Sequence, residues 1–537
     1  NGKAVVIDDT GATAATVQEL NAIQAVASSV TYTKLRDSSA NIRANVDSNG
    51  AITDVDGIAV TVTTTSNATE FGSILTAAGN GSVTGAVADA GSALTDVTFP
   101  NASSITATIS AATDLTTVTL DGDVTHIDLN DVTNVLLDIN DLTNRTIVNT
   151  SGNGSYKVKD TASALAGADA SLLSDQTIVI NDANTAATTT ELNTIQTSMV
   201  SNGGNGTVTY TKLTGSATSL NTNKADIVAG VAVTIDETGD NVAATVAELN
   251  SIQTQVASVN NASLTYTKLR DTSANIRANV DENNAITDVA GIAVTVTTTS
   301  NATEFGSIVT AAGNNGSVAG AVADAGSNLT NVTLPGATSV TATISNANDL
   351  TAVTLDSDVT HIDLNDVTNV LLDINDLTNR TIVNTSGNGS YKVKDTASAL
   401  AGADASLLSD QTIVINDANT AATTTELNTI QTSMVSNGGN GTVTYTKLTG
   451  SATSLNTNKA DIVAGVAVTI DETGDNVAAT VAELNSIQTQ VASVNNASLT
   501  YTKLRDTSAN IRGNVDENNA ITDVAGIAVT VTTASNV

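Results

Sequence analysis

The sequence predicts a mainly β fold, a right-handed parallel β-solenoid with short helices in many of its coils. Three observations lead to this prediction: a very long internal repeat, a shorter strand-then-helix unit inside it, and an apolar composition made of small aliphatic residues. Right-handedness follows from the general preference of parallel crossover connections. Together these features indicate a stacked architecture rather than a set of independent globular domains.

The long repeat is the strongest of these signals. Residues 126–277 recur without a substitution as residues 361–512, which is 152 consecutive positions at an offset of 235. Nothing in a single-site enzyme calls for such a duplication. We therefore expect one continuous solenoid in four parts: the end of a preceding long repeat (1–29), two long repeats (30–263 and 264–498) and the start of a further one (499–537). We also expect both ends to abut more repeats, in the same chain or in a neighbouring subunit.

The amino-acid composition limits the classes of protein to which the chain can belong. The chain is 40% hydrophobic but only 2% aromatic, and it has no Trp, so its core must consist of Val, Ile, Leu and Ala in thin layers. The net charge of −34 should repel nucleic acid and anionic lipid surfaces. The absence of Cys excludes disulfides and thiolate metal sites. No run approaches the ~20 apolar residues of a membrane span.

A smaller unit appears within the long repeat. Val231–Ile235 alternates apolar and polar residues like a strand, and Val246, Leu249 and Ile252 then follow at helical spacing. The same order recurs along the chain. Each unit is predicted to contain a strand, an Asp, Ser or Thr cap, a short helix and a turn rich in Gly and Asn.

Acidic residues at the strand ends are predicted to cap the helices that follow rather than to bind a ligand. The residues concerned are Asp37, Asp160, Asp236 and Asp271. A carboxylate in such a position can accept the first N–H groups of a helix and stabilise it by roughly 0.5–2 kcal/mol. On this hypothesis, Asp160→Ala combined with Asp395→Ala lowers thermal stability.

Residues 92–150 differ, because their pattern predicts strands and turns without helices. Short alternating stretches about ten residues apart are separated by Asn, Asp, Gly and Thr. The predicted strands are Val97–Phe99, Ile105–Ile109, Val118–Leu120, Ile127–Leu129, Val135–Ile139 and Ile147–Val148.

Two short strings carry a resemblance to a known class of proteins. Val158–Leu165 reads VKDTASAL and Leu35–Ile42 reads LRDSSANI. They resemble the V-x-D-T-A-x-N-I repeats of very large bacterial cell-surface and adhesin-like proteins. The resemblance covers the strand-then-helix units and carries over no binding residue. It implies an exported protein that acts as a stalk, a surface coat or a matrix fibre.

Residues with catalytic chemistry are sparse. The two histidines, His126 and His361, are one position seen twice, and alternation with Asp128 and Asn130 predicts that His126 faces solvent. No phosphate loop, zinc signature or nucleophile elbow is evident. The tyrosines, including Tyr32, Tyr156 and Tyr210, are predicted to lie in strands and to be partly buried.

Calcium is the most plausible ligand. Acidic residues sit in and beside two equivalent turns of a strongly anionic chain, and calcium prefers hard oxygen ligands of this kind. Ordinary turn aspartates are the alternative, and the stretch at residues 203–208 lacks the Asp of a calcium-binding nonapeptide repeat. Melting with and without calcium distinguishes the two. The candidate metal ligands are Asp121, Asp123, Asp128, Asp131, Asp356, Asp358, Asp363 and Asp366.

Three classes of function remain open. The first is a non-catalytic extracellular protein that forms a rod, fibre, sheath or surface layer on a bacterial cell and associates with itself end to end or laterally. The second is an adhesin stalk that binds a glycan or a partner protein. The third is a β-helical enzyme that cleaves polysaccharides, against which the duplication and the scarcity of aromatic rings both argue. The sequence favours the first class.

Overall fold

The computed structural model describes residues 2–11, 13–201, 204–238, 243–281, 283–436, 439–473 and 478–534. The chain divides into two compact units, Asn1–Tyr266 and Thr267–Val537. This division lies close to the predicted repeat boundary between residues 263 and 264. Residues 202 and 203 lie outside the described residues, and so does part of the glycine-rich stretch considered above for calcium.

The first unit alternates short strands with short helices. Its strands are β1 (Ala4–Val6), β2 (Ser29–Thr31), β3 (Lys34–Asp37), β4 (Ala59–Val62), β5 (Val83–Ala90), β6 (Ala102–Thr108), β7 (His126–Asp128), β8 (Val135–Leu137), β9 (Thr146–Val148), β10 (Tyr156–Asp160), β11 (Thr177–Ile180), β12 (Ala187–Thr188), β13 (Thr207–Thr209), β14 (Lys212–Gly215), β15 (Ala232–Ile235) and β16 (Ser263–Thr265). Its helices are α1 (Val17–Gln24), α2 (Ser39–Ala44), α3 (Ala68–Ala78), α4 (Ile139–Asn144), α5 (Ala162–Ala166), α6 (Ala170–Leu173), α7 (Thr189–Val200), α8 (Ala217–Thr222) and α9 (Val246–Ser258).

The second unit repeats this order. Its strands are β17 (Lys268–Asp271), β18 (Ala293–Val296), β19 (Ser317–Ala325), β20 (Ala337–Thr343), β21 (His361–Asp363), β22 (Val370–Leu372), β23 (Thr381–Val383), β24 (Tyr391–Asp395), β25 (Thr412–Ile415), β26 (Ala422–Thr423), β27 (Thr442–Thr444), β28 (Lys447–Gly450), β29 (Ala467–Ile470), β30 (Ser498–Thr500), β31 (Lys503–Asp506) and β32 (Ala528–Val531). Its helices are α10 (Ser273–Ala278), α11 (Ala302–Ala312), α12 (Ile374–Asn379), α13 (Ala397–Gly402), α14 (Ala405–Leu408), α15 (Thr424–Val435), α16 (Ala452–Thr457), α17 (Val481–Ser493) and α18 (Ser508–Gly513).

The strands of each unit form several small parallel sheets. In the first unit the sheet orders are β1-β2, β3-β4-β5-β6-β7-β9, β13-β11-β10-β8 and β12-β14-β15-β16. The second unit contains β17-β18-β19-β20-β21-β23, β22-β24-β25-β27, β26-β28-β29-β30 and β31-β32. Within each sheet the neighbouring strands run parallel and pair in register, and the chain returns to the sheet through intervening helices and turns.

Small aliphatic side chains stack in register between the paired strands. Leu35 of β3 lies opposite Val60 of β4, which lies opposite Val83 of β5. All three side chains are almost completely buried. Phe71 and Phe99 add an edge-to-face ring pair, with centroids 5.2 Å apart, where α3 meets the next turn of the chain. The buried core thus consists mainly of Val, Ile, Leu and Ala, as the composition predicted.

The prediction of a mainly β chain was wrong in its proportions. Roughly 29% of the residues are helical and 27% are in strands. The capped segments after the strands are longer and more regular than the apolar spacing alone indicated. In α7, for example, Thr188 and Glu191 form a reciprocal capping box, and buried Leu192, Ile195 and Met199 follow at helical spacing.

The prediction of strands without helices at residues 92–150 was also wrong. Strands β6, β7, β8 and β9 form there, but α4 (Ile139–Asn144) follows β8 directly. The Asp138 side chain accepts a hydrogen bond from the Asp141 N–H, and the Asp141 side chain accepts one from the Asp138 N–H. This capping box starts a helix where apolar alternation had predicted the end of a strand. Residues 97–99 and 118–120 are not in strands.

The capping prediction for Asp37 and Asp160 assigned the wrong helix. Ser38 is the N-cap of α2, and Thr161 is the N-cap of α5. The aspartate before each cap accepts a hydrogen bond from the N–H of the cap residue, at 2.7 Å in both cases. A hydroxyl side chain therefore closes the helix, and the aspartate holds that cap in place.

The same prediction was wrong for Asp236 and Asp271. Asp271 accepts from the N–H of Thr272, which is the N-cap of α10. Asp236 accepts from the Thr238 N–H in a tight turn. The N-cap of α9 is Thr245, well beyond that turn. These carboxylates organise the turns that precede the helices.

The second carboxylate oxygen of Asp37 and of Asp160 accepts a hydrogen bond from the helix that precedes the strand in the sequence. Asp37 accepts from the first N–H of α1, at Val17 (2.9 Å), and Asp160 accepts from the first N–H of α4, at Ile139 (3.2 Å). We name residues that do this the bridging aspartates. Among the described contacts they include Asp37, Asp89, Asp160, Asp324, Asp395 and Asp506.

Loss of a bridging aspartate should therefore loosen two helices. For Asp160→Ala with Asp395→Ala we expect a loss of about 1–2 kcal/mol in each unit, because two orphan N–H groups lose a charged acceptor. Amide hydrogen exchange should accelerate in α4 and α12 as well as in α5 and α13. Acceleration confined to α5 and α13 would contradict the bridging role.

Two helix glycines offer a stabilising substitution. Gly72 in α3 and Gly306 in α11 are in the helix interior, and a Cβ atom would meet only the Phe99 ring at 3.8 Å in the first and nothing within 4 Å in the second. Gly72→Ala and Gly306→Ala should each raise stability by about 0.5–1 kcal/mol, because alanine loses less backbone entropy on folding. Chemical denaturation checks this, and an unchanged midpoint would show that the two sites do not tolerate a methyl group.

Candidate functional site

The aspartates predicted to bind calcium are each engaged in backbone hydrogen bonds. Asp121 accepts from the Asp123 N–H at 2.9 Å, and Asp123 accepts from the Phe99 N–H at 3.4 Å. Asp131 accepts from the Asn153 N–H at 2.8 Å. These contacts fix turns between successive strands. The equivalents in the second unit, Asp356, Asp358 and Asp366, accept from Asp358, Leu334 and Asn388.

Asp128 occupies a more enclosed position than alternation predicted. It is 7% exposed and accepts from the N–H and hydroxyl of Thr150 and from the Asn130 N–H. Burial raises the pKa of Asp128, but these hydrogen bonds outweigh burial and hold that pKa below its ordinary value. The prediction that Asp128 shares a solvent-facing side with His126 was therefore wrong; His126 itself is half-buried. Asp363 repeats the arrangement of Asp128.

These aspartates do not converge on one point. Within the described ranges, no group of three or more acidic or histidine side chains is arranged so that it could hold a metal ion. Calcium binding at the two turns stays a prediction. The hydrogen bonds give the turn aspartates a structural role that requires no ion.

The tyrosines are half-buried, as expected. Tyr210 donates from its hydroxyl to the Asp226 carbonyl, and Tyr32 donates to a carboxylate oxygen of Asp54 at 3.3 Å. Burial raises the pKa of both phenols. Tyr156 lies in β10, whereas Tyr32 and Tyr210 follow strands directly. Their rings pack against the unit and are not displayed as a stacking platform for sugars.

A buried ion pair recurs in both units and was not predicted from the sequence. Arg145 donates through Nη1 to Asp141 at 3.2 Å, and its Nη2 donates to the carbonyls of Leu120 and Asp121 at 3.0 and 3.1 Å. The side chains of Arg145 and Asp141 are 3% and 9% exposed. Arg380 and Asp376 form the same pair at 3.3 Å. The arginine thus ties α4 to the turn that precedes β7.

Burial, followed by repulsion from Asp138, raises the pKa of Asp141 to about 6, against the opposing effect of Arg145. Asp376 is shifted in the same way, also to about 6. The ordinary value is 3.8. Because the folded state holds this proton more tightly than the unfolded state, the group's contribution to stability is complete below pH ~4 and is lost as pH rises through 6.

The melting temperature should therefore rise as pH falls from 7 to 5. In Asp141→Asn with Asp376→Asn this part of the profile should be flatter, because the titrating carboxyls are gone. Relief of the net charge acts on both proteins and cancels in the comparison. The matched control is Asp131→Asn with Asp366→Asn. If the Asp141 variant and this control give the same profile as the unchanged protein, the pKa assignment fails.

A second set of acidic residues accepts hydrogen bonds from a Thr and a Lys at the start of a later strand. Asp182 is 5% exposed and accepts from the Thr211 N–H, from the Thr211 hydroxyl at 2.8 Å and from the Lys212 N–H at 2.6 Å. We name residues with this arrangement the anchoring acids. Among the described contacts they include Asp9, Asp182, Asp417 and Glu472. The carboxylates of these residues therefore have a structural role.

Each unit has an open cavity in an equivalent position. A short antiparallel hairpin, in which Val46 pairs with Ile52, stands beside the outer face of α3. The second unit pairs Val280 with Ile286 beside α11. The cavities measure about 800 Å³ in the first unit and about 1110 Å³ in the second. We name this cavity the hairpin groove.

Comparison with models of known protein families, with curated proteins and with solved structures produced no match to this chain. Among the described residues, no helix is long and apolar enough to cross a membrane. The candidate sites are therefore the two repeated features that the geometry defines, the buried ion pair and the hairpin groove.

Proposed function

We propose that this chain is a right-handed parallel β-solenoid and acts as an extracellular structural protein, a length of rod in a fibre, sheath or surface layer. The observation that carries the proposal is the duplicated block at residues 126–277 and 361–512. A repeat of this length adds extent and surface, which a structural element needs and a single active site does not. The resemblance to repetitive cell-surface proteins supports the extracellular location.

The parallel pairing supports the solenoid. In each unit, strands pair in register with strands one turn of the chain away, for example Lys212–Gly215 with Ala232–Ile235. The bridging aspartates and anchoring acids add side-chain hydrogen bonds between the same neighbouring turns. Stacked units of this kind are stabilised mainly by nearest-neighbour interfaces, so repeats can be added without a change of core.

The chemistry of the described residues is consistent with a non-catalytic role. The buried carboxylates named above and the hydroxyls of Tyr32 and Tyr210 are occupied by hydrogen bonds within the unit. The two histidines occupy one repeated position, where His126 contacts its neighbour Thr125 at 2.7 Å. The calcium hypothesis belongs to the same proposal, in which the ion would stiffen the turns at Asp121 and Asp356.

Small-angle X-ray scattering of the purified chain tests the proposal. At about 25 residues per coil and ~4.8 Å per stacked strand, the chain should form a rod on the order of 100 Å long. A pair-distance distribution with a long linear tail is expected. A compact symmetric distribution would contradict the solenoid rod.

A further inference from the structure

The hairpin groove carries an inference beyond a structural role. One wall of the groove is the hairpin, with Val46 46% exposed and Ile52 half-buried beside it. The floor is the outer face of α3, where Thr69, Gly72 and Thr76 recur at the spacing of one helix face. Small side chains at this spacing let a second backbone approach closely.

The second unit keeps this wall and floor although its sequence varies there. Apart from Arg277, the lining of both grooves lies outside the identical block of the two repeats, and Gly50 and Asp56 of the first groove are replaced by Asn284 and Ala290. Val280 and Ile286 retain the apolar wall, with Val280 48% exposed. The floor residues Thr303, Gly306, Ser307 and Thr310 repeat Thr69, Gly72, Ser73 and Thr76.

The charged residues that line each groove indicate which charge a bound partner should carry. Arg43 lines the first groove, but Glu70 neutralises it through an ion pair of 2.7 Å, and Asp56 also lies in the lining. In the second groove Arg277 is paired with Glu304 at 2.7 Å, and the lining includes Asp281 and Asp288. Both grooves are therefore acidic in a chain of net charge −34. The acidic lining favours a cationic partner in the groove and disfavours docking of a second copy of this acidic chain there.

The volume and the lining of the hairpin groove indicate which class of partner it can bind. A volume of 800–1110 Å³ is that of an open cleft for several side chains. None of the lining residues is aromatic, so sugar stacking has no platform. We propose that each hairpin groove docks a basic, amphipathic helical segment of another protein, with its apolar face against the hairpin and its backbone close to the helix floor.

Binding of a synthetic probe to the full chain tests this. The probe is a short fluorescein-labelled peptide of leucine and lysine with helical spacing, followed by fluorescence anisotropy. We expect two peptides per chain and binding that weakens with salt. The matched peptide with glutamate in place of lysine should not bind. Absence of binding by the lysine peptide would overturn the proposal.

Variants separate groove binding from general attraction to an acidic protein. Gly72→Phe with Gly306→Phe fills both grooves, and Val46→Ser with Val280→Ser removes the exposed apolar wall without adding bulk. Each should weaken binding about tenfold or more, which corresponds to about 1.4 kcal/mol. The matched control, Thr194→Phe with Thr429→Phe, adds the same ring to exposed positions of α7 and α15 and should leave the affinity unchanged.

Two further results would overturn the proposal. The first is equal affinity for the unchanged protein, the groove variants and the control, which would show that the net charge alone attracts the peptide. The second is self-association of the chain that sedimentation detects and that the groove variants abolish, which would make a second copy the occupant. Scattering from the unchanged chain is independent of both results, so failure here is distinguishable from failure of the rod.

Discussion

Replacing Arg145 and Arg380 by methionine is expected to destabilise each unit by about 3–5 kcal/mol at pH 7, because removal of one partner strands a buried charge. Asp141 would lose its cation, and the carbonyls of Leu120 and Asp121 would lose their donor. Methionine fills the space left by the arginine stem but supplies no donor. Chemical denaturation monitored by circular dichroism measures the loss.

The loss should depend on pH. Below pH ~5 the Asp141 carboxyl can hold a proton, so less buried charge is left without a partner and the loss should be smaller than at pH 8. Arg43→Met with Arg277→Met is the matched control, because these arginines are 39% and 41% exposed and exposed pairs contribute about 1 kcal/mol or less. Equal losses in the two double variants would show that burial does not distinguish the pairs.

Replacing Asp182 and Asp417 by alanine is expected to cost on the order of 3 kcal/mol in each unit, because enclosed N–H and hydroxyl donors would lose a charged acceptor. Both carboxylates are 5% exposed, and each accepts from a Thr and a Lys one turn further along the chain. The Asp182→Asn and Asp417→Asn changes keep one acceptor oxygen. They should cost less.

The control for the anchoring acids uses two exposed aspartates of the same duplicated block. Within the described residues, Asp236 and Asp471 each accept one hydrogen bond, from the N–H of Thr238 and of Thr473, in an exposed turn. Their replacement by alanine should cost about 0.5–1 kcal/mol. If the Asp182 and Asp236 variants unfold at the same denaturant concentration, the anchoring acids do not stabilise the stacking of the turns.

The sequence predicted the parts of the fold that depend on local pattern. Alternation at Val231–Ile235 predicted β15, and the spacing of Val246, Leu249 and Ile252 predicted the buried face of α9. Both signals come from periodicity along a continuous stretch of chain. The parallel pairing of successive strands followed from the repetition of these units.

The helix α4 was missed although a signal for it was present. Val135–Ile139 alternates like a strand, and that pattern concealed the start of the helix. Asp138 is followed three residues later by Asp141 and then by Leu142, which is the spacing of a capping box ahead of an apolar residue. Asparagine and threonine at Asn140 and Thr143 have weak helix propensity, so the cap and the packing decide the outcome.

The roles of the buried acids could not be predicted from local pattern. Asp182 accepts from Thr211 and Lys212, which are about thirty positions away, and Asp160 accepts from Ile139. These contacts exist only because segments that are distant in sequence lie next to each other in the fold. A strand-end aspartate therefore looked like a cap for the helix after it, whereas half of its hydrogen bonding goes to the helix before it.

The proposed rod is tested most directly by its length as a function of repeat number. Electron microscopy of the full chain should show rods on the order of 100 Å, and deletion of residues 264–498 should shorten them by ~45 Å without a change in width. Particles whose width changes with the deletion, or compact particles in both samples, would contradict a solenoid that grows by repeats.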